Sequence, residues 1–502
     1  MNIRTSFLRG ATELGVGQAI TQVCTFVRGV IVARLISPEN FGIAAMFVMT
    51  YSMLEMMSHL AADVFLVQAP DGNDPRLQRS AQAVQASRGL TNAAVLFAIA
   101  IPIARLFGVP QAAWSLQVLA VVPLMRGFIH LDVNRVQREM RFGPTIAADI
   151  TASVLSAVAA LPIVLWRRDY SAMLWLLILQ TAAYVFVTHF TATRAYAWAW
   201  DRVHARRILS FGWPLLLNGI LMYGIFQGDR LVIGSAPRLF ANNRYTLSDL
   251  GIYSAAFGLT MASAMFMVNL TTQLFLPILS RVQSERGRFN RRYAACCHIV
   301  CILSSLLVIP FMAVGSWMIQ VVYGVKYAPA GAFIGWISAM FGIRLVRVAP
   351  TLAAIALGDT RNSMLSNLVR TIALAGVITT AAMNGRLCWI AASGCGGELA
   401  ALLTCVWRLN RLHRVPLDSL VKPLGVSAVG ISVGAVLAFV LRSSGVVFAA
   451  VAAIVVSAAT AGIMIVTLPA LSRDVKSFIS KRNSSGPGED APCTAVTPNL
   501  SA

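Results

Sequence analysis

Several ionisable side chains of this sequence stand inside long apolar stretches, where they could bind an ion or an anionic group. The basic ones are Arg28, Arg126, Arg230, Arg344, Arg347 and Arg370. A guanidinium binds phosphate or carboxylate through two parallel hydrogen bonds, so arginines in an apolar setting are typical of a site for an anionic ligand. The alternative is that they form salt bridges between helices or extend from helix ends into the polar interface.

The embedded acidic and histidine side chains suggest a second chemistry. Glu55, His59 and Asp63 recur every four residues, which predicts one face of one helix. With Asp149, they are our candidates for proton or cation coupling, and a polar cavity lining is the alternative. On a helix Glu55 and Asp63 would lie about 12 Å apart, too far to share one ion, so we expect no metal site. The other embedded acids are Glu13, Asp132, Asp229 and Glu398.

The composition requires that much of this chain faces lipid. Of 502 residues, 57% are hydrophobic and 12% are charged, and the mean hydropathy is +0.70. Soluble domains carry about 25% charged residues, and a single core stops growing near about 250–300 residues. Continuous apolar runs exclude an outer-membrane barrel, whose strands alternate. The net charge of +21 is explained by basic cytoplasmic loops, so we expect no nucleic-acid partner.

Apolar windows of about 20 residues predict an all-α integral membrane protein with 14 transmembrane helices. The predicted spans are 14–33, 43–68, 89–107, 113–131, 145–166, 171–192, 210–234, 250–277, 294–320, 330–356, 364–383, 387–407, 423–441 and 446–470. Lys and Arg favour the loops on the side of the N-terminus by about three to one, which predicts that both termini are cytoplasmic. That count treats Arg88 and Arg135 as residues of cytoplasmic loops.

The two halves of the chain share a short pattern. Arg28 is followed by Gly-Val-Ile-Val and, further on, by Gly42, just before an apolar span. Arg230 is followed by Leu-Val-Ile-Gly and by Gly251, again just before an apolar span. This offset of about 200 residues predicts two six-helix lobes related by an internal repeat, with two further helices. We expect Arg28 and Arg230, which occupy matching positions, to face a shared central cavity.

The repeat predicts the division of the chain into units. These are an N-terminal lobe over 1–200, a C-terminal lobe over 201–410, two additional transmembrane helices over 411–472 and a disordered cytoplasmic tail over 473–502.

The stretch from Phe26 to Gly42 resembles the opening of bacterial oligosaccharide flippases. These form the polysaccharide-transporter (Wzx-type) branch of the multidrug/oligosaccharidyl-lipid/polysaccharide exporter superfamily. The segments 228–234, 250–253 and 276–281 resemble its second-lobe landmarks. The resemblance implies a two-lobed fold that carries an undecaprenyl-pyrophosphate-linked sugar unit between leaflets. The sister lipid II flippases place arginines in the second helix, where this chain reads Met56-Met57-Ser58-His59, which argues against a peptidoglycan precursor as cargo.

The sequence therefore predicts a transporter and not an enzyme. It has no nucleophile–base pattern and no Gly-rich phosphate loop, and we expect no cofactor. We expect alternating access of two lobes around a cationic cavity, which flips lipid-linked oligosaccharide units for exopolysaccharide or lipopolysaccharide biosynthesis. The cavity would be lined by Arg28, Arg230, Arg344, Arg347 and Arg370.

The predicted setting is the bacterial inner membrane, with the lipid bilayer and the lipid-linked oligosaccharide as partners. A polysaccharide polymerase and the chain-length machinery are further expected partners. Two alternatives stay open: a cation-coupled drug antiporter of the same superfamily, and a membrane glycan polymerase.

Overall fold

The structure is a computed structural model that describes residues 3–139, 141–240, 243–440 and 445–467, and within them the chain forms helices and no strands. The α-helices, named in chain order, are α1 (Ile3–Leu35), α2 (Pro38–Met57), α3 (Ala62–Gln68), α4 (Pro75–Leu106), α5 (Ala113–Leu119), α6 (Val121–Gly127), α7 (Asp132–Gln137), α8 (Gly143–Arg167), α9 (Ser171–Thr191), α10 (Arg202–Leu239), α11 (Leu247–Ser280), α12 (Arg286–Tyr323), α13 (Ile334–Ala356), α14 (Thr360–Arg370), α15 (Ile372–Ala382), α16 (Leu387–His413), α17 (Asp418–Val440) and α18 (Val446–Thr467). The predicted tail over 473–502 lies outside the described residues.

The all-α membrane architecture predicted from the sequence is confirmed. In the described part of the chain, 12 segments are long and apolar enough to cross a membrane, or 13 if the bent pair α2–α3 counts as one span. The segment predicted as one span over 113–131 instead begins with two helices of seven residues each, α5 and α6. Only Ala120, whose backbone is also α-helical, separates them, so together they cover 113–127, or about 22 Å of an apolar layer of about 30 Å.

The helices pack in two sets that α2 connects. In the first half of the chain α1 and α9 pack against α8, while α5 and α6 pack against α4. In the second half α11, α12 and α16 surround α13, and α17 and α18 pack against α12 and each other. Helix α2 packs against α10 and α11 of the second half. The boundaries near 200 and 410 stay predictions.

Helices α2 and α11 cross with their backbones in contact. A Cβ atom on Gly42 would lie 2.0 Å from the carbonyl oxygen of Leu247, and one on Gly251 would lie 2.0 Å from that of Pro38. No side chain fits at either position, so glycine is required for this approach. These are the two glycines that the internal repeat aligns.

At one end of this crossing, α1 and α12 cap each other. Arg34 lies in the last turn of α1 and donates from Nε to the carbonyl of Val322 at 2.7 Å. In return, Lys326 donates from Nζ to the carbonyl of Arg34 at 2.8 Å, and the Tyr327 hydroxyl donates to Ala33 at 3.1 Å. The last carbonyls of a helix lack intrahelical donors and carry partial negative charge. Each helix thus depends on a cation beside the other, and we call this contact the α1–α12 clamp.

At the other end, α10 meets the segment around α3. The Arg207 guanidinium makes two hydrogen bonds to the Asp71 carboxylate, of 2.7 and 3.0 Å. These hydrogen bonds hold the pKa of Asp71 below its usual value. Beside them, the Phe65 and Phe211 rings lie 5.2 Å apart. We call this contact the Asp71–Arg207 clamp.

The glycine crossing generates a stability prediction. We expect Gly42→Ala and Gly251→Ala each to lower the melting temperature, because overpacking a close contact costs about 1–3 kcal/mol. The matched control is Gly29→Ala in α1, where a Cβ meets nothing within 4 Å. That substitution should be neutral or stabilising by up to about 1 kcal/mol. The measurement is thermal unfolding of the purified variants in detergent, and equal melting temperatures for all three would contradict the contact.

Candidate functional site

A first buried charged cluster surrounds Glu55 of α2, and we call it the Glu55 cluster. The Glu55 carboxylate pairs with Arg88 of α4, and Arg126 of α6 approaches to 3.5 Å. The Arg126 guanidinium also lies 5.6 Å from the centre of the Tyr51 ring. Two guanidiniums and one carboxylate leave this cluster with a formal charge of +1. The prediction that Arg88 belongs to a cytoplasmic loop is wrong, because it lies in the middle of α4 with its side chain 8% exposed.

The predicted helical face of Glu55, His59 and Asp63 does not form. Helix α2 ends at Met57, and Ala61 adopts a left-handed conformation with φ of 50°. Helix α3 then continues at a bend of 43°. His59 falls in this break and Asp63 in the first turn of α3, so the four-residue spacing no longer aligns the three side chains.

The four predicted ion-coupling residues nevertheless lie around one region. Glu55 interacts electrostatically with His59, and Arg126 does so with Asp149 of α8. Tyr184 of α9 interacts electrostatically with both Asp149 and Asp63. Their role in ion coupling stays a prediction.

Arg135, also counted as a cytoplasmic loop residue, is buried in the short helix α7. Its Nε lies 2.6 Å from the carboxylate of Asp132, which also accepts from the amide and hydroxyl of Thr193 at 2.8 Å. Burial alone would raise the pKa of Asp132, but these hydrogen bonds lower it to about 2. The pair thus ties α7 to the segment that follows α9.

Arg28 of α1 is buried without an opposite charge. Its guanidinium donates to the hydroxyl of Ser156 in α8 at 3.1 Å and to the amide oxygen of Gln180 in α9. The residue is 8% exposed, no carboxylate of the described residues pairs with it, and its Nε donor has no partner. Neutral acceptors do not balance a buried charge, so Arg28 is suited to receive an anion.

A second cluster in the other half of the chain surrounds Glu398 of α16, and we call it the Glu398 cluster. The carboxylate lies 2.6 Å from Arg344 Nε, 2.7 Å from Arg370 Nη2 and 3.5 Å from Arg347 Nη2. Glu398 is 0% exposed. The structure thus brings together three of the five arginines predicted to line a cavity. It also adds Glu398 between them, a pairing that the sequence did not indicate.

The Glu398 cluster keeps unused binding capacity. Three guanidiniums and one carboxylate leave a formal charge of +2. Both Nη atoms of Arg344 are buried and have no hydrogen-bond partner in the described part of the chain. The Arg344 guanidinium is instead flanked by Phe341 and Phe226, at 4.7 and 5.0 Å from the ring centres. Aromatic faces attract a cation but accept no directed hydrogen bond, so the donors stay free for a ligand.

Arg230 of α10 lies beside aromatic rings within the second half of the chain. Its guanidinium lies 4.2 Å from the centre of the Phe257 ring, and its Nε is 3.9 Å from Asp229. The Asp229 carboxylate also accepts a hydrogen bond of 2.8 Å from Tyr253. The described contacts do not bring Arg28 and Arg230 together, because each contacts helices of its own half. That both face one cavity stays a prediction.

A short series of contacts across α2 and α10 links the two clusters. Phe226 of α10 contacts Arg344 and Arg370 of the Glu398 cluster. The next residue, Gln227, donates to the hydroxyl of Ser52 in α2 at 3.2 Å. Ser52 adjoins Tyr51 of the Glu55 cluster, so the contact between α2 and α10 separates two groups of buried cations.

The Glu398 cluster generates a prediction about stability. Glu398→Gln removes the carboxylate from three buried guanidiniums, and loss of one partner in a buried ion pair costs about 3–5 kcal/mol. We expect strongly reduced accumulation in the membrane and a lower melting temperature. The matched control is Glu285→Gln, whose exposed pair with Arg288 at 3.1 Å is worth about 0–1 kcal/mol. Normal accumulation and melting of Glu398→Gln would refute the ion-pair geometry.

Comparisons with known proteins agree with this architecture. Residues 31–332 match the family of polysaccharide biosynthesis proteins. The chain is 24% identical over 372 residues to the succinoglycan biosynthesis transport protein ExoT of Rhizobium meliloti (strain 1021), and the alignment covers 72% of each chain.

Solved structures of membrane transporters share the fold. The lipid II flippase MurJ in an inward closed conformation superposes with a TM-score of 0.65 at 14% identity, over 90% of this chain and 98% of that one. An inward-facing multidrug resistance MATE family transporter of the MOP superfamily gives a TM-score of 0.63 at 12% identity, over 81% and 99%. The resemblance predicted from the sequence is confirmed. With a family match over more than half of its length, the chain belongs to the polysaccharide biosynthesis protein family, on the fold of the MOP-superfamily transporters.

Proposed function

We propose that this protein flips undecaprenyl-pyrophosphate-linked oligosaccharide units across the bacterial inner membrane, for exopolysaccharide or lipopolysaccharide biosynthesis. The observation that carries the proposal is the excess of buried guanidinium over carboxylate in the Glu398 cluster, with both Nη atoms of Arg344 unpartnered. Membership of the polysaccharide biosynthesis family, and a relative named as a succinoglycan biosynthesis transport protein, support this cargo class.

The chemistry of the cargo matches these free donors. A pyrophosphate diester carries two negative charges and loses its hydration when it enters an apolar slab. Fixed guanidinium forks can replace that hydration, because each offers two parallel donors to phosphate oxygens. Arg28 and Arg344 both have donors to spare, one in each half of the chain. We propose that they bind the pyrophosphate in the course of transport, with Arg230, Arg347 and Arg370 beside them.

An apolar groove suits the lipid part of such a cargo. It has a volume of about 570 Å³ and runs between α17 and α18. Its lining is mostly valine and glycine, with Lys422 among the few polar groups. We propose that this groove accommodates the polyprenyl chain, because its valine side chains offer van der Waals contacts to a hydrocarbon that already lies in the bilayer.

Alternating access would use the two clamps. The α1–α12 clamp joins the two halves of the chain at one end, and the Asp71–Arg207 clamp joins them at the other. Most of their hydrogen bonds are exposed, and exposed polar contacts are worth about 0–1 kcal/mol each, whereas the Tyr327–Ala33 hydrogen bond of the α1–α12 clamp is buried. We propose that each clamp opens in turn while the other holds.

A cation-coupled drug antiporter is less well supported by the two clusters. Such a transporter needs a carboxylate free to bind a proton, an ion or an organic cation. The carboxylates of Glu55 and Glu398 both form salt bridges with arginines. Asp63 and Asp149 form no ion pair within the described residues, and we propose these two as the sites of any ion coupling.

The proposal predicts a graded series at Arg28. In a deletion strain, we expect Arg28→Ala to abolish surface polysaccharide and to cause lipid-linked intermediates to accumulate. Arg28→Lys should restore export only in part, because lysine keeps the charge but lacks the planar fork. Export is measured as surface polysaccharide at matched protein levels.

The control variant is Arg288→Ala, an exposed arginine on α12. It should export normally. Should Arg28→Ala also export normally at wild-type protein levels, Arg28 is a structural residue and the assignment fails. Normal export by Arg28→Lys would instead show that charge alone is sufficient.

A further inference from the structure

A separate polar pocket lies at the end of the second half of the chain, where α12 begins and α13 and α16 end. Its volume is about 180 Å³, and none of its lining residues belongs to either buried cluster. Arg286 enters it from α12 and Arg414 from the residue after α16. On the orientation predicted from the loop charges, this end faces the cytoplasm.

The two arginines have no partner of their own. Neither the Arg286 nor the Arg414 side chain makes an ion pair or a hydrogen bond within the described ranges, although both line one pocket. Two guanidiniums that share a cavity repel each other unless an anion lies between them.

The carboxylates near the pocket are already engaged. Asp359 accepts two hydrogen bonds of 3.0 Å from Arg408, which lower its pKa and keep it ionised. Glu285 pairs with Arg288 at 3.1 Å. A third lining residue, His413, lies 3.8 Å from Asp359. No carboxylate is among the lining residues. The pocket therefore has a net positive charge with no internal counterion.

The remaining lining favours a compact oxyanion. The amide side chains of Asn290 and Gln283 add neutral donors beside the two guanidinium forks. Apolar side chains, among them Phe289, Leu412 and Val415, complete the wall. A tetrahedral phosphate can accept from several donors at once, and guanidinium forks match its oxygen geometry better than a point charge does.

We propose that this pocket binds an anionic phosphate group through Arg286 and Arg414. The shared chemistry is a phosphate with at least one ionised oxygen, and its two sources are an anionic lipid headgroup at the cytoplasmic interface and free phosphate. The site is distinct from the cargo site proposed above, so it stands or falls independently of the flipping activity.

The test is a direct binding measurement on the purified full chain in neutral detergent. The probes are inorganic phosphate, short-chain phosphatidylglycerol and, as a zwitterionic comparison, short-chain phosphatidylcholine. The pocket variant is Arg286→Gln with Arg414→Gln. Its control is Arg291→Gln with Arg411→Gln, which removes the same charge from the same two segments but from outside the pocket. Because all four arginines are exposed, we expect both variants to fold.

We expect wild type to bind phosphate or phosphatidylglycerol saturably, and the pocket variant to bind about tenfold more weakly, with the control variant close to wild type. If inorganic phosphate saturates the pocket and phosphatidylglycerol does not, the ligand is free phosphate. If phosphatidylglycerol saturates the pocket and inorganic phosphate does not, the ligand is a lipid headgroup. Equal weakening in both variants, absence of saturable binding, or equal affinity for phosphatidylcholine would each overturn the proposal. Arg286→Lys should bind with intermediate affinity if the guanidinium fork contributes.

Discussion

A guanidinium buried in an apolar layer must find partners for its charge and for its five N–H donors, and this requirement organises the centre of the molecule. Glu398 supplies one carboxylate to three arginines, and Glu55 supplies one to two. Arg28 has only neutral acceptors. In each place the protein provides enough acceptor to keep the arginines in position but too little to neutralise them. The remaining positive charge is what the proposed anionic cargo would balance.

The sequence predicted the helices well and the pairing of charges poorly, for physical reasons. Long apolar windows are sufficient to locate spans, because a helix satisfies its own backbone and lipid needs only apolar side chains. Arg344 and Arg347 are three residues apart, and this spacing alone is sufficient to place them on one helix face. Glu398 lies 54 residues beyond Arg344. Their pairing depends on how the helices pack, which a local sequence pattern does not indicate. Arg88 was misplaced because the apolar window begins at residue 89, whereas α4 begins 14 residues earlier at Pro75.

The break between α2 and α3 was missed for a related reason. Residues 57–61 contain no glycine or proline to indicate a helix end, and Ala61 takes a left-handed conformation with φ of 50°. Packing of α10 against this segment accounts for it, since a Cβ on Gly212 would lie 2.2 Å from the carbonyl oxygen of Leu60. Tertiary contact overrides local helix preference here. The internal repeat stays a prediction, but the two glycines that it aligns, Gly42 and Gly251, are both required by backbone contact.

The two halves of the chain are joined by contacts of two different strengths. The α2–α11 crossing is a backbone contact that tolerates no side chain, whereas most hydrogen bonds of the two clamps are exposed and of small net free energy. We interpret the crossing as the fixed element and the clamps as the parts that exchange during transport.

The most direct test of the central claim is the affinity of the purified protein for undecaprenyl pyrophosphate compared with undecaprenol, measured by native mass spectrometry. The two lipids share the polyprenyl chain and differ only in the charged group. If buried guanidiniums bind the cargo, the pyrophosphate should bind at least about tenfold more tightly than the alcohol. Equal affinity for the two would show that the apolar groove alone holds the lipid and that the arginines serve only the fold.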